Sequence, residues 1–140
     1  MASDQFRRGI LNPFLLSHFI SELALRRSTS PAVKEFARRE LEEATTILLA
    51  LRRLGEPLER MDAYSMAVVD KLARAARPLF DQDYLDLQVT IHALLQDVIE
   101  SYLRTAPRRA SRTEVHTRHL ATQALPTIKE HQIILSTLNQ

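Results

Sequence analysis

The stretch FDQDYLDLQVTIHALLQDVIESYLR, residues 80–104, decides the fold. Its apolar residues recur every three or four positions, the spacing that places side chains on one side of an α-helix. Asp81 is expected to cap the start of this helix. Asp83 and Asp86 add negative charge near that start, where the helix dipole favours it. The sequence therefore predicts a long amphipathic helix with His92 in the middle of its apolar side. The apolar face is predicted to be wide and to comprise Leu85, Leu87, Val89, Ile91, Leu94, Leu95, Val98, Ile99 and Leu103.

Four further helices are predicted from the same periodicity and from their capping residues. They span residues 5–27, 31–54, 63–77 and 112 almost to 140. Ser30 before Pro31 is a typical helix start, and Gly55 is a typical residue just after a helix end. Asp62 and Ser111 are the expected caps of the last two of these helices, and Pro78 is expected to stop the short one.

Composition supports one helical domain over residues 1–140. The chain has 140 residues, is 45 % hydrophobic and contains only two glycines, which disfavours an all-β fold. Long helices joined by short turns predict an all-α fold, an antiparallel four-helix bundle with one additional short helix before the third long helix. No apolar run reaches the roughly 20 residues that a membrane span needs.

Charge and motifs exclude several functional classes. The formal net charge is only +2, which is too small to indicate nucleic-acid binding. Glycine-rich phosphate loops, nucleophile elbows and catalytic triads at a familiar spacing are absent from the sequence. No enzymatic activity is therefore predicted, and no cofactor. One basic cluster remains as a candidate for binding an anion or lipid, a weaker alternative, and it comprises Arg104, Arg108, Arg109, Arg112 and Arg118.

Histidines and glutamates offer the only candidate metal ligands. Helical bundles build metal sites from inward Glu and His on facing helices, and here Glu40, Glu43, His92 and His131 are the candidates. His92 lies twelve residues before Arg104 and His131 lies nineteen after Arg112, so their depths differ by seven residues, on the order of 10 Å. The sequence therefore favours two separate core histidines and no metal site. His18 with Glu22 is predicted to be a local pair on one helix, and His116 with His119 to lie on a solvated face.

Three segments carry a family resemblance: SPAVKEFARRELEEA (30–44), LFDQDYLDLQVTIHALLQDVI (79–99) and ALPTIKEHQIIL (124–135). In their order and spacing the chain resembles a bacterial ferritin-like family of unknown function, domain of unknown function 4142, often labelled "predicted outer membrane protein". The resemblance implies a four-helix bundle, frequent export to the periplasm and no established activity. His92 and His131 match family positions. Ala44 and Ile91 stand where members often carry histidine and aspartate, which implies a depleted polar site.

Together these observations favour a non-enzymatic helical bundle that acts through protein contact or self-association, in the stress or envelope context that the resemblance implies. The alternative is a divergent ferritin-like metal-binding protein that uses Glu40 or Glu43 with His92 and His131. The expected partners are a second copy of the chain or another protein. The amino terminus lacks the layout of a signal peptide, so the expected location is cytoplasmic, or periplasmic if a leader was removed.

Overall fold

A computed structural model describes residues 2–58, 61–106 and 111–140. These ranges contain five α-helices and no strand, which confirms the predicted all-α class. The helices are α1 (Ser3–Arg27), α2 (Pro31–Arg53), α3 (Ala63–Ala73), α4 (Arg77–Thr105) and α5 (Arg112–Leu138). Within the described ranges, no helix combines the length and the hydropathy needed to cross a bilayer.

Helix ends follow the capping residues in the sequence. The side-chain oxygens of Ser30, Asp62 and Ser111 each accept a hydrogen bond from the backbone N–H three residues later, at 3.3, 2.7 and 3.2 Å. These bonds satisfy N–H groups that have no partner inside the helix. Gly55 follows α2 with a φ of 92°, a left-handed conformation that glycine adopts without a steric penalty. The predicted starts of α2, α3 and α5 are confirmed.

The boundary between α3 and α4 differs from the prediction. The short helix was expected to run to position 77 and the next to be capped by Asp81, whereas α3 ends at Ala73 and α4 begins at Arg77. Pro78 lies in the first turn of α4, where its fixed φ suits a helix and its missing N–H is not needed. Pro78 thus lies at the start of α4 and does not mark the end of α3, and Asp81 lies inside α4.

The long helices pack side by side, α1 against α2 and α4, and α5 against α4 and α2. Near one end of α1, Ser3 Oγ lies 3.1 Å from Tyr102 Oη. Near the other end, Ser21 Oγ lies 2.8 Å from Tyr84 Oη. Residue numbers rise along α1 as they fall along α4, so the two helices are antiparallel. Buried apolar side chains from all five helices form one core cluster.

The buried face of α4 is narrower and more polar than predicted. Val89 and Leu94 were expected on the apolar face, but they are 46 % and 50 % exposed. Gln88, which was not predicted on this face, lies in the interior with the predicted His92, and each is at most 1 % exposed. The α4 residues in the core are Phe80, Tyr84, Leu85, Gln88, Ile91, His92, Leu95, Ile99 and Tyr102. Polar groups at the centre of the longest helix must find partners within the protein.

Candidate functional site

A fully buried carboxylate lies at the centre of the helical packing. Glu40 is 0 % exposed and follows Phe36 and Ala37 on the core stripe of α2, one turn before Ala44. The same three- and four-residue spacing that buries these apolar neighbours therefore buries Glu40. A carboxylate in such a place is strongly disfavoured unless charged or hydrogen-bonding partners surround it.

Two histidines from two other helices meet this carboxylate at one oxygen. His92 Nε2 on α4 lies 3.0 Å from Glu40 Oε2, and His131 Nδ1 on α5 lies 2.7 Å from the same atom. His92 is 1 % exposed and His131 is 5 % exposed. The three potential ligand atoms lie within 4.8 Å of one another. Helices α2, α4 and α5 each contribute one member of this cluster, which we call the Glu–His–His site.

The predicted difference in depth between the two histidines was wrong. Their ring centroids are 5.9 Å apart. His92 on α4 lies level with His131 on α5. Thr105 lies 13 residues after His92, and because α4 and α5 are antiparallel it is level with position 118, which lies 13 residues before His131. Since α5 begins at Arg112, its first six residues extend beyond the end of α4. This overhang of about 9 Å, at ~1.5 Å per residue, removes the offset that equal helix ends would produce.

A second layer of hydrogen bonds orients the site. His92 Nδ1 lies 2.7 Å from the backbone carbonyl oxygen of Gln88, so this nitrogen carries a proton and Nε2 faces Glu40. Ser17 Oγ donates to the other carboxylate oxygen, Glu40 Oε1, at 2.8 Å. The Gln88 amide in turn donates to Ser17 Oγ at 3.0 Å. Both Glu40 oxygens and one histidine ring are thereby fixed in position.

The same network continues away from the site through α1 and α4. The Gln88 amide also donates to Ser21 Oγ at 3.2 Å, and Ser21 Oγ lies 2.8 Å from Tyr84 Oη. Sequence reasoning did not identify Ser17, Ser21, Tyr84 or Gln88. A signal for them exists: Ser17 and Ser21 lie four residues apart on the buried face of α1, and Tyr84 and Gln88 repeat that spacing on α4 before His92. Polar residues at core spacing on facing helices predict a shared network.

Phe36 packs against both histidine rings. Its ring centroid lies 6.2 Å from that of His92 and 5.7 Å from that of His131, with tilted and edge-on geometries. Aromatic contacts of this kind restrict ring rotation and keep water away from the polar atoms. An apolar ring therefore covers the Glu–His–His site on this side and limits rotation of both histidines.

Electrostatics of the site favour an ionised carboxylate and a charged imidazole. Burial raises the pKa of Glu40, but the hydrogen bonds and positive charges of His131 and His92 outweigh burial and lower the pKa to about 2. Burial lowers the pKa of His92, yet the hydrogen bond and negative charge of Glu40 raise it above its ordinary value. The proton on His92 Nε2 lies between the imidazole of His92 and the carboxylate of Glu40, and both groups are also good metal ligands. A proton and a metal ion therefore compete for the same place.

Glu43 lies one turn further along α2, beside the site. Burial raises the pKa of Glu43 to about 7, and repulsion from Glu40 adds to this effect. Its Oε1 atom is buried and has no hydrogen-bond partner among the residues that the structure describes. Glu43 and His131 border a shallow cavity of about 290 Å³ between α2 and α5. The remaining residues of that cavity are Arg39, Glu42, Thr46, Thr127 and Glu130.

Other residues singled out from the sequence lie elsewhere. His18 Nδ1 lies 3.1 Å from Glu22 Oε1, which confirms the predicted local pair. His116 and His119 are exposed on α5 and border a different cavity from His131. In the basic cluster, Arg104 and Arg112 are exposed, and Arg108 and Arg109 lie outside the described residues.

Comparison with protein families gives one match, to a domain of unknown function, DUF4142, over residues 19–138. The chain belongs to the DUF4142 family. The matched span contains all four residues of interest, Glu40, Glu43, His92 and His131, as well as the buried Gln88. Neither the curated proteins nor the solved structures include a significant match to this DUF4142 protein.

Ser17 offers a test of the second layer. Replacing Ser17 with alanine removes the donor to Glu40 Oε1 and leaves that buried oxygen without a partner. We expect the free energy of unfolding of metal-free protein to fall by about 1–3 kcal/mol, measured by urea denaturation. Ser136→Ala, at an exposed position on α5, is the control and is expected to change it by less than ~0.5 kcal/mol. Equal effects of the two substitutions would contradict the described network.

Proposed function

We propose that this DUF4142 protein is a non-enzymatic metal-binding protein that holds one divalent first-row transition-metal ion between Glu40, His92 and His131, within a ferritin-like antiparallel four-helix bundle. The observation that carries the proposal is the convergence of three ligand atoms, from three helices, at one buried point. This is the alternative hypothesis from the sequence, and the geometry now favours it.

The distances between the ligand atoms support the proposal. Two atoms bound to one tetrahedral zinc ion at about 2.0–2.1 Å lie ~3.4 Å apart. The Glu40 oxygen is 3.0 and 2.7 Å from the two histidine nitrogens, so these two distances need to widen by only ~0.4–0.7 Å when an ion replaces the protons. All three atoms lie within 4.8 Å of one another, so the two nitrogens need to approach each other by at most ~1.4 Å to bind one tetrahedral ion.

The donor set and its surroundings indicate the class of ion. Two imidazoles and one carboxylate suit zinc and ferrous iron, and they disfavour Ca²⁺ and Mg²⁺, which prefer oxygen ligands throughout. Metal-binding histidines usually donate their second ring N–H to a carbonyl or carboxylate, as His92 does to the Gln88 carbonyl. Ser17 supports the carboxylate in the same way.

A purely structural role for the Glu–His–His site is the competing explanation. In that case protons alone join the three groups, and the site contributes only to packing. Buried ionic groups are a poor source of net stability, because apolar residues of similar volume often give equal or greater stability. Metal binding would explain why this protein has buried ionic groups at this position. Burial of all three residues supports binding over catalysis, since a substrate finds little room beside them.

Calorimetric titration of chelator-treated, untagged protein with Zn²⁺ and, anaerobically, with Fe²⁺ tests the proposal. We expect one ion per chain for at least one of the two metals. Binding is expected to disappear in His92→Ala, because that substitution removes one of three ligands. His119→Ala, which changes an exposed histidine on α5, is the control and is expected to bind as the unmodified protein does. Absence of binding by unmodified protein would contradict the proposal.

Protein contact or self-association, which the sequence favours first, stays a prediction, as does an envelope location. Large apolar side chains are exposed on every described helix, among them Phe19, Leu49, Tyr64, Val89 and Ile133. Single exposed apolar residues of this kind are common on monomers, so they do not mark one face. Sedimentation at several protein concentrations measures whether the chain dimerises.

A further inference from the structure

We propose that Glu43 supplies the fourth protein ligand to the ion and that the cavity between α2 and α5 is the route by which the ion reaches the site. This inference rests on the proposed metal binding at Glu40, His92 and His131. It assigns a role to a buried carboxylate oxygen, Glu43 Oε1, which accepts no hydrogen bond from the described residues.

Glu43 lies beside the Glu–His–His site and has a free buried oxygen, and its side chain needs to move to bring that oxygen within 4.8 Å of the other three ligand atoms. It lies three residues after Glu40, so both side chains project from the same side of α2. Its Oε1 atom is buried, yet nothing in the described part of the chain donates a hydrogen bond to it. A buried carboxylate oxygen without a donor is uncommon in folded proteins and calls for an ion, a water or a functional role. A cation held by its neighbours satisfies that oxygen.

Among the described residues, the side of the site between α2 and α5 is open to a cavity. Phe36 covers both histidine rings on one side. Ser17 and Gln88 occupy the side of Glu40 that faces α1 and α4. The shallow cavity between α2 and α5 reaches both His131 and Glu43. An ion that enters from solvent therefore meets Glu43 before it meets Glu40.

Charge around the cavity is consistent with cation capture. Glu42 and Glu130 lie at its border with Glu43, and Arg39 is the single basic side chain among its lining residues other than histidine. Arg39 is held by Glu35, whose Oε1 lies 3.3 Å from Arg39 Nε on the same helix. Glu42 and Glu130, joined by Glu43 when it is ionised, outnumber one paired guanidinium and favour a divalent cation over an anion at this cavity.

Glu43→Gln tests the inference with a nearly isosteric change that keeps the helix intact. We expect the Zn²⁺ dissociation constant of this variant to rise by about 10–100-fold and metal uptake in stopped-flow to slow. The probe is Zn²⁺ itself, in competition with a chelator of known affinity. Glu42→Gln is the matched control, since it removes one negative charge from the border of the same cavity at an exposed position. We expect it to change the dissociation constant less than threefold.

Two results would overturn the role of Glu43 while leaving the Glu–His–His site in place. One is unchanged affinity and uptake in Glu43→Gln when His92→Ala has lost binding. The other is an equal loss in Glu42→Gln, which would show a general effect of charge. If unmodified protein binds no metal, the proposed function itself fails and this inference fails with it. The two failures are therefore distinguished in one set of titrations.

Discussion

Glu40→Ala is expected to be the most damaging substitution in this protein, lowering the free energy of unfolding by about 3–5 kcal/mol. Glu40 accepts hydrogen bonds from His131, His92 and Ser17 at the same time, all in the core. Its removal leaves a charged imidazole and several polar atoms without partners, together with a cavity. Urea denaturation of metal-free protein measures the effect, and the melting temperature is expected to fall by roughly 10 °C or more.

Glu35→Ala is the matched control on the same helix. Glu35 is exposed and pairs with Arg38 and Arg39 at 3.5 and 3.3 Å. Ion pairs on the surface contribute about 0–1 kcal/mol, so we expect a change within that range. A Glu40→Ala protein as stable as Glu35→Ala would show that the carboxylate is not held by the contacts described.

Stability of the metal-free protein is expected to peak near pH 5, at about 4.5–5.5, and to fall on both sides. Glu40 has its pKa lowered to about 2, so its contribution is present above its ordinary value and is lost as the pH falls towards 2. His92 has its pKa raised, so its contribution is present at low pH and is lost as the pH rises through the raised pKa. Glu43, with its pKa raised to about 7, stays protonated in the folded state, so stability declines between its ordinary pKa and 7.

Urea denaturation in the presence of chelator, at intervals from pH 3 to pH 9, measures this profile. From about pH 5 to pH 8 we expect a loss on the order of 1–3 kcal/mol, after allowance for solvent screening of the partly exposed Glu43. Glu43→Gln is expected to flatten the alkaline side, because its amide does not ionise. A stability that rises steadily from pH 5 to pH 8 would contradict the arrangement of charges. With Zn²⁺ bound the slope should reverse, since metal binding releases the histidine proton.

Much of the fold follows from local sequence. Helix ends are marked by residues that act within one turn of the chain. These are the caps Ser30, Asp62 and Ser111 and the glycine Gly55. Pro78 misled the assignment because proline suits the first turn of a helix as well as the residue after one. Local patterns distinguish these two cases poorly, since the choice depends on how the chain turns between α3 and α4.

The four candidate residues of the site were identifiable from sequence, but their convergence was not. Glu40 lies on the core stripe of α2 by simple periodicity, and His92 and His131 lie on the stripes of α4 and α5. Whether the two histidines meet depends on how far α5 extends past α4. Tertiary packing determines how far α5 extends past α4. The number of residues between each histidine and the connecting turn does not reveal this distance.

Elemental analysis of untagged protein, purified without added metal or chelator, tests the central claim most directly. We predict about one zinc or iron ion per chain, and none in His92→Ala prepared in the same way. A metal-free protein with His92→Leu as stable as the unmodified chain would contradict the account. In that case the Glu–His–His site would be a buried proton-bonded cluster and not a metal centre.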